Sequence, residues 1–322
     1  MYASDTSDLL PADAAGVLPF VSVVIPHYDD LIALRLCHAR LLAQTWPRTA
    51  FEIVVADNNS RCGLAAVQAA APSAIVVHAP VQGAGPARNA GVAASRGAIL
   101  AFIDSDCVPD PDWIRAGVTA LAQHDFVGGK VVTLAQDPAQ PNPVEAFEMV
   151  FNFNFQRYVT KVGFSGTGNL FVPRQVFAAV GAFRNGLSED MDWCFRARAL
   201  GYRIGYAETA VVGHPARRNW AELKGRWVRM LSEHYSLALT RPGGRVIFVA
   251  KALAMPFSVL PHSAKILASD RLPSFGARLG AIRILAWLRL WRTGRMIRLA
   301  MRKNSGDPRV RPVCASEPVT DR

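Results

Sequence analysis

The chain of 322 residues has no Cys-x-x-Cys pair and no Cys–His run with zinc-ligand spacing, although it holds five cysteines, Cys37, Cys62, Cys107, Cys194 and Cys314. Thiols scattered in this way exclude a structural zinc site and a disulfide framework, and they fit the reduced thiols of a cytosolic protein. No Lys or Arg precedes Arg35. The N-terminus therefore lacks the basic segment of a secretory leader and the Arg-rich face of a transit peptide. No apolar run has the roughly twenty residues that a spanning helix needs, because residues 246–260 are interrupted by Lys251 and Pro256. No Gly-x-Gly-x-x-Gly follows the first apolar strand, which excludes a nicotinamide-dependent dehydrogenase. Acidic residues are missing from 275–303 altogether.

That last gap marks a division of charge. Residues 1–214 carry 15 Lys and Arg against 19 Asp and Glu, whereas residues 215–322 carry 21 against 6. The overall +11 thus conceals a mildly acidic part and a strongly basic one, which face different partners. With 51% hydrophobic and 19% charged residues, the chain has the composition of a folded protein.

What is present begins with alternation. Residues 1–19 are polar, contain Pro11 and Pro19, and read as a loose arm. From Val21 onward, β-branched apolar runs at 21–25, 51–56, 74–77 and 98–103 alternate with helical patterns. This predicts an α/β fold with a Rossmann-like, mostly parallel central sheet flanked by helices. Residues 126–134 read as a further strand that closes off the sheet, and residues 141–214 mix helix and strand signals.

In such a sheet ligands lie beyond the carboxyl ends of the strands. Strand one ends in Pro26-His27-Tyr28-Asp29, strand two in Asp57-Asn58-Asn59-Ser60, and strand four in Asp104-Ser105-Asp106. Two carboxylates one residue apart at a strand end suit a hard divalent cation, although a turn before Pro109 uses the same residues. Gly83-Ala-Gly-Pro-Ala-Arg88-Asn89-Ala-Gly91 sets glycines before a helix start, with a guanidinium in the first turns, and reads as a diphosphate cradle. It is not a Walker sequence, since no Gly-Lys-Ser/Thr follows. Ser188-Glu189-Asp190-Met-Asp192-Trp193 opens a helix with Ser188 at the N-cap, and Asp190 is placed to act as a general base.

Together and in this order, these elements resemble the family 2 glycosyltransferases of GT-A fold. The matching pieces are Val21–Tyr28, Val54–Asp57, Ala87–Gly91, Asp104–Asp106, Gly166-Thr-Gly168-Asn169-Leu-Phe171 and Glu189-Asp190…Arg196…Leu200-Gly-Tyr202. The resemblance implies an inverting transfer of one sugar from a nucleoside diphosphate donor, UDP-sugar favoured, to an acceptor hydroxyl, with Mn²⁺ or Mg²⁺ as cofactor. It implies Asp190 as the catalytic base, and Pro26, His27, Tyr28, Asp57, Arg88, Asp104 and Ser105 around the donor nucleotide. Asp106 and Asp104 would serve the metal. His214 would join them, or would be a buried hydrogen-bonded histidine. Gly166, Gly168, Asn169, Glu189 and Trp193 would face the sugar or the acceptor. The transferase domain then spans 20–240, with a nucleotide half at 20–135 and an acceptor half at 136–240. Polymerising members carry Gln-x-x-Arg-Trp, whereas this chain has Leu223-Lys-Gly-Arg226-Trp227, which favours single transfer.

Residues 241–322 read as a basic amphipathic helical region with a polar tail. Arg278, Arg283, Arg289, Arg292, Arg295, Arg298 and Arg302 interleave with Trp287, Trp291 and aliphatic residues. This suits an anionic membrane surface, here the cytosolic face, with a saccharide or lipid-linked acceptor. Nucleic acid is not expected, because no nucleic-acid-binding motif accompanies the charge. Two rivals share the fold. A sugar-phosphate nucleotidyltransferase would need a Gly-rich basic loop after strand one, and an inactive membrane-docked scaffold would not need the carboxylates.

Overall fold

A computed structural model describes residues 18–185, 188–239 and 242–301. The loose arm expected over 1–19 and the polar tail, with Arg302, lie almost entirely outside these residues. Among the described residues, eight strands form one mixed sheet: β1 (Val21–His27), β2 (Phe51–Asp57), β3 (Ile75–His78), β4 (Ile99–Phe102), β5 (Val108–Pro109), β6 (Phe126–Leu134), β7 (Leu170–Pro173) and β8 (Ile204–Pro215). Their spatial order is β3-β2-β1-β4-β7-β6-β8-β5. The first four are parallel, as the apolar runs predict, while β7 is antiparallel to both β4 and β6. β6 does not close the sheet, because β8 and β5 lie beyond it. A two-residue strand such as β5 leaves no periodic trace in a sequence.

The central strands are apolar on both faces because both faces are covered. Val21, Val23 and Ile25 of β1 join one buried cluster with Ile53, Leu34, Trp46 and Trp113. Val24, between them, points to a second cluster with Leu100, Phe102, Leu170 and Trp193. The period-two alternation of side chains thus builds two cores from one strand. Buried Ser22 and Glu52 satisfy each other at 2.6 Å, and Glu52 also accepts from the backbone of Arg96 at 2.7 Å, so the polar pair costs little.

The chain divides into two compact units. One runs through Thr133 and resumes over Phe153–Pro215, and the other joins Leu134–Asn152 to the chain from Ala216 onward. The second unit is helical, with helices Pro143–Phe151, Trp220–Leu239, Gly244–Ala254, Val259–Leu267 and Phe275–Met301. Asn142 and Glu145 form a reciprocal capping box at the start of the first helix. Glu148, 1% exposed, is matched by Arg217 at 3.0 Å and Arg226 at 3.4 Å. No single helix among the described residues is long and apolar enough to cross a membrane, although Gly244–Ala254 and Pro256–Leu267 together form a bent apolar pair.

Of the basic residues expected on a polar helix face, Arg283 and Arg298 are exposed. Arg289, Arg292 and Arg295 instead turn into the helical unit. In the 3.6-residue period they fall on the same stripe as the buried Leu285, Leu288, Met296 and Leu299.

Candidate active site

The crevice lies at the carboxyl ends of β1, β2 and β4, where the strand order reverses between β1's two neighbours. Asp57 ends β2 and is 2% exposed. Its Oδ1 accepts from His27 Nδ1 at 3.0 Å and from the Ser60 hydroxyl, and its Oδ2 accepts from the Ser60 backbone N–H at 3.1 Å. His27 is equally buried, and its Nε2 has no partner. Tyr28, next along, is half exposed. Asn58 is a clamp that turn chemistry alone did not reveal. Its amide donates to the carbonyls of Ala79 and Val81 at 2.8 Å each and accepts from Gly83 N–H at 2.8 Å, fixing the loop that leads into the helix Ala84–Ala93.

Arg88 rises from that helix and is 4% exposed. It bridges two motifs: Nη2 meets Asp104 Oδ1 at 2.6 Å and Nη1 meets Glu189 Oε1 at 2.7 Å. Burial opposes its charge, and Asp104 and then Glu189 more than restore it, so its pKa is raised. The guanidinium expected in a diphosphate cradle is thus bound to two carboxylates and sets where they stand.

Asp104 and Asp190 each have one oxygen anchored and one opposite a glycine. Asp190 sits in the first turn of the helix Glu189–Ala199, and its Oδ1 accepts from Met191 N–H at 2.7 Å and from the Ser188 hydroxyl at 2.9 Å. Ser188 occupies the N-cap position but spends its hydroxyl on Asp190 rather than on the helix backbone. A side chain at Gly166 would bring a Cβ within 3.5 Å of Asp190 Oδ2 and 2.9 Å of the Phe155 ring. At Gly168 it would lie 2.9 Å from Asp104 Oδ2. The two glycines keep both oxygens open. Burial first, and the neighbouring Glu189 second, raise the Asp190 pKa above the usual carboxylate value, which suits a group that must take up a proton.

Asp104 and Asp106 lie close enough to share an ion, with Cys107 Sγ in the same cluster. Burial pushes the Cys107 thiol well above its usual pKa, with Asp104 and Asp106 adding to the shift. His214 stands beside this cluster. Its Nδ1 donates to the Pro215 carbonyl at 2.8 Å, and its Nε2 lies 3.4 Å from Asp106 Oδ2. The backbone carbonyl holds the ring by Nδ1 and turns Nε2 toward the aspartates, the orientation that a metal-ligating imidazole needs. Oxygen and imidazole donors of this kind fit Mn²⁺ or Mg²⁺. Ser105 lies between the two aspartates, partly exposed, and Pro26 continues the β1 register opposite Ala56.

Two expectations are corrected. Asn169 is fully buried and spends its whole amide within the protein, accepting from Trp113 Nε1 at 2.9 Å and donating to the carbonyls of Lys130 at 2.9 Å and Ala210 at 2.8 Å. It anchors the glycine segment instead of touching a sugar. Trp193 is fully buried, stacks on Phe177, and donates its indole N–H to the Gly181 carbonyl at 2.9 Å. It is core. Asn169→Ala strands three buried polar groups, and a stability loss of about 3 kcal/mol in urea denaturation is expected. A sugar ligand would instead raise KM with stability unchanged.

The glycosyl transferase family 2 model matches residues 22–180. The chain is 34% identical over 211 residues to glycosyltransferase AglE of Haloferax volcanii, a match covering 63% of this chain and 69% of the relative. The chain belongs to glycosyl transferase family 2. The pre-mycofactocin glycosyltransferase of Mycobacterium tuberculosis is 26% identical over 221 residues, covering 63% of this chain and 45% of that protein. Among solved structures, the mannosyltransferase PcManGT from Pyrobaculum calidifontis, determined in complex with GDP-Man and Mn²⁺, matches with a TM-score of 0.54 at 21% identity. That match covers 87% of this chain and 85% of the other. The fold is therefore GT-A, and the family 2 glycosyltransferase reads as an enzyme with a nucleotide-sugar donor and an acceptor. The crevice residues from Pro26 to Gly168 fall within the matched segment, while Glu189, Asp190 and His214 lie past its end.

Proposed function

We propose that this family 2 glycosyltransferase transfers a single sugar, with inversion, from a nucleoside diphosphate donor to an acceptor hydroxyl. The observation that carries the reading is the pair of carboxylates, Asp104 and Asp190, each anchored through Oδ1 with Oδ2 opposite a glycine. Asp190 takes the proton of the acceptor hydroxyl as its oxygen bonds to the anomeric carbon. The bond from that carbon to the diphosphate oxygen breaks, and the diphosphate leaves with the electron pair. Attack from the face opposite the leaving group inverts the configuration.

Asp104, Asp106 and His214 would hold the divalent cation, which when bound supplies positive charge beside the leaving diphosphate. Arg88, fixed by Asp104 and Glu189, keeps the carboxylates in register. The donor base lies at the ends of β1 and β2, where Tyr28 offers an exposed ring face and Asp57 Oδ2, carrying a single hydrogen bond, receives a base N–H. Uracil is the base favoured by the family resemblance. Peripheral attachment to the cytosolic face of a membrane is part of the same reading, as is a saccharide or lipid-linked acceptor. It is supported by the exposed Val246, Phe257 and Leu260 on the bent helix pair, at 73%, 78% and 79% exposure.

The test is incubation of the chain with nucleotide sugars and Mn²⁺, following released nucleoside diphosphate and the anomeric configuration of the transferred or hydrolysed sugar by NMR. Nucleoside diphosphate with an inverted anomer is expected. A retained anomer, or pyrophosphate release from a nucleoside triphosphate and a sugar phosphate, would refute it.

A further inference from the structure

Among the described residues, the helical unit holds three arginines that no carboxylate meets. Along Phe275–Met301, the positions Leu285, Leu288, Arg292, Arg295 and Leu299 follow a three-four spacing, which places two arginines where a packed helix would carry leucines. Arg289 flanks them on the same stripe. Among the described residues none of the three forms an ion pair, and the Nε atoms of all three are buried without a hydrogen-bond partner.

Across from them stands Trp227 of the helix Trp220–Leu239. The Arg292 guanidinium lies 3.7 Å from the centre of a Trp227 ring, and Trp227 Nε1 is likewise buried and unpartnered. The four orphaned atoms are all donors. Burial, and then Arg289, pull the Arg292 pKa down to about 9. A guanidinium keeps its proton in proteins, so the direction of the shift fits a charge partly withdrawn from water with no counterion among the described residues. Partial burial, then Arg292 and Lys251, lower the pKa of His234 as well, so the positive potential is shared by three helices. In the same unit the carboxylate of Glu148 receives Arg217 and Arg226. The fold therefore gives partly buried arginines a carboxylate elsewhere in this unit.

We infer that the helical unit binds a phosphate monoester or diphosphate group through Arg289, Arg292 and Arg295, with Trp227 supporting Arg292. A doubly charged oxyanion accepts from several guanidinium N–H groups at once and meets the charge that burial leaves unmatched. A single carboxylate would leave most of these donors unfilled. The inference stands on the helical unit alone, so it and the chemistry proposed for the crevice fail separately.

The experiment uses the full chain in EDTA and follows its melting temperature against pyrophosphate, with sodium sulfate at matched ionic strength as reference. Wild type is expected to show a saturable rise of several degrees beyond the sulfate control. Arg292→Gln removes a buried unmatched charge, so it should melt at or above the wild-type temperature without anion and lose the pyrophosphate response. Arg283→Gln, at an exposed position on the same helix, should respond as wild type. Vesicles of phosphatidylcholine with phosphatidic acid, against phosphatidylglycerol at equal surface charge, identify the source. An Arg292-dependent preference for phosphatidic acid assigns the group to a lipid headgroup, and a pyrophosphate response without that preference assigns it to a soluble ligand. No saturable response in wild type, an equal response in Arg292→Gln, or a large loss of stability in Arg292→Gln without anion would overturn the inference.

Discussion

Asp190→Asn lowers kcat by roughly 10³-fold, within the range expected for loss of a positioned general base, while nucleoside diphosphate binding stays close to wild type. The amide keeps the shape and can still accept from Met191 N–H and the Ser188 hydroxyl, the bonds that orient the side chain. Only the basic oxygen beside Gly166 is lost. The stability of this variant gives a second readout. The folded-state pKa of Asp190 is raised, by burial first and Glu189 second. A carboxyl shifted in that direction contributes most below its unfolded pKa, and the contribution disappears as pH rises through the folded value. At neutral pH the native ionised Asp190 is therefore a net cost, and Asp190→Asn should be at least as stable as wild type there. The same shift places the acidic limb of the wild-type kcat profile above the ordinary carboxylate range, since activity falls as pH drops through the raised pKa. Loss of stability in Asp190→Asn, or an unshifted acidic limb, would contradict the assignment.

Arg88→Met is the second substitution with a large expected effect, and it acts on structure and rate together. Removing a buried guanidinium leaves Asp104 and Glu189 without their shared partner. Breaking a buried pair in this way costs about 3 kcal/mol, the lower end of the usual range because both carboxylates are partly exposed. The two acids then repel, Asp104 leaves its place beside Gly168, and kcat/KM is expected to fall by roughly 10²-fold through lost positioning. Arg88→Lys discriminates between charge and shape. A single ammonium cannot reproduce the fork that reaches both acids, so it should recover part of the stability and little of the rate. Urea denaturation and steady-state kinetics on the two variants separate these contributions. Full rescue by Lys would show that charge alone matters.

Much of the fold was legible because its central strands are shielded on both faces. Such strands read as unbroken β-branched runs, and the runs ending at Ile25, Ala56 and Ile103 correspond to β1, β2 and β4, with aspartates following at their carboxyl ends. The four parallel strands and the helices after them followed from alternation. The short antiparallel strands did not, since two residues at Val108–Pro109 and four at Leu170–Pro173 carry no period. Within the site, residue types at strand ends and helix starts pointed to Asp57, Asp104, Asp106 and Asp190. Contacts that cross the chain were hidden. Arg88 meets a partner 101 positions away, and the bonds of Asn169 span 39 to 56 positions. An asparagine with such partners looks in the sequence like one that faces a ligand.

Two groups of side chains sit on helix faces that local composition hides. Trp193 follows three acids, which suggests a polar helix face, yet it falls four residues before Ala197 on the buried side. Composition alone suggests that the arginines at 289, 292 and 295 face an anionic surface, whereas their spacing against Leu285, Leu288 and Leu299 sets them on the buried stripe. In both cases the helical period held the answer, and local charge obscured it.

The central claim is that the crevice binds a nucleoside diphosphate together with a divalent cation held at Asp106. Calorimetric titration of uridine, guanosine and thymidine diphosphates into the chain, with and without Mn²⁺, on wild type and Asp106→Ala, tests it most directly. Mn²⁺-dependent binding of one of these nucleotides, lost in Asp106→Ala, is the expected result, with the uridine nucleotide the favoured one. Binding of none of them by the folded wild type, or equal binding by Asp106→Ala, would contradict it.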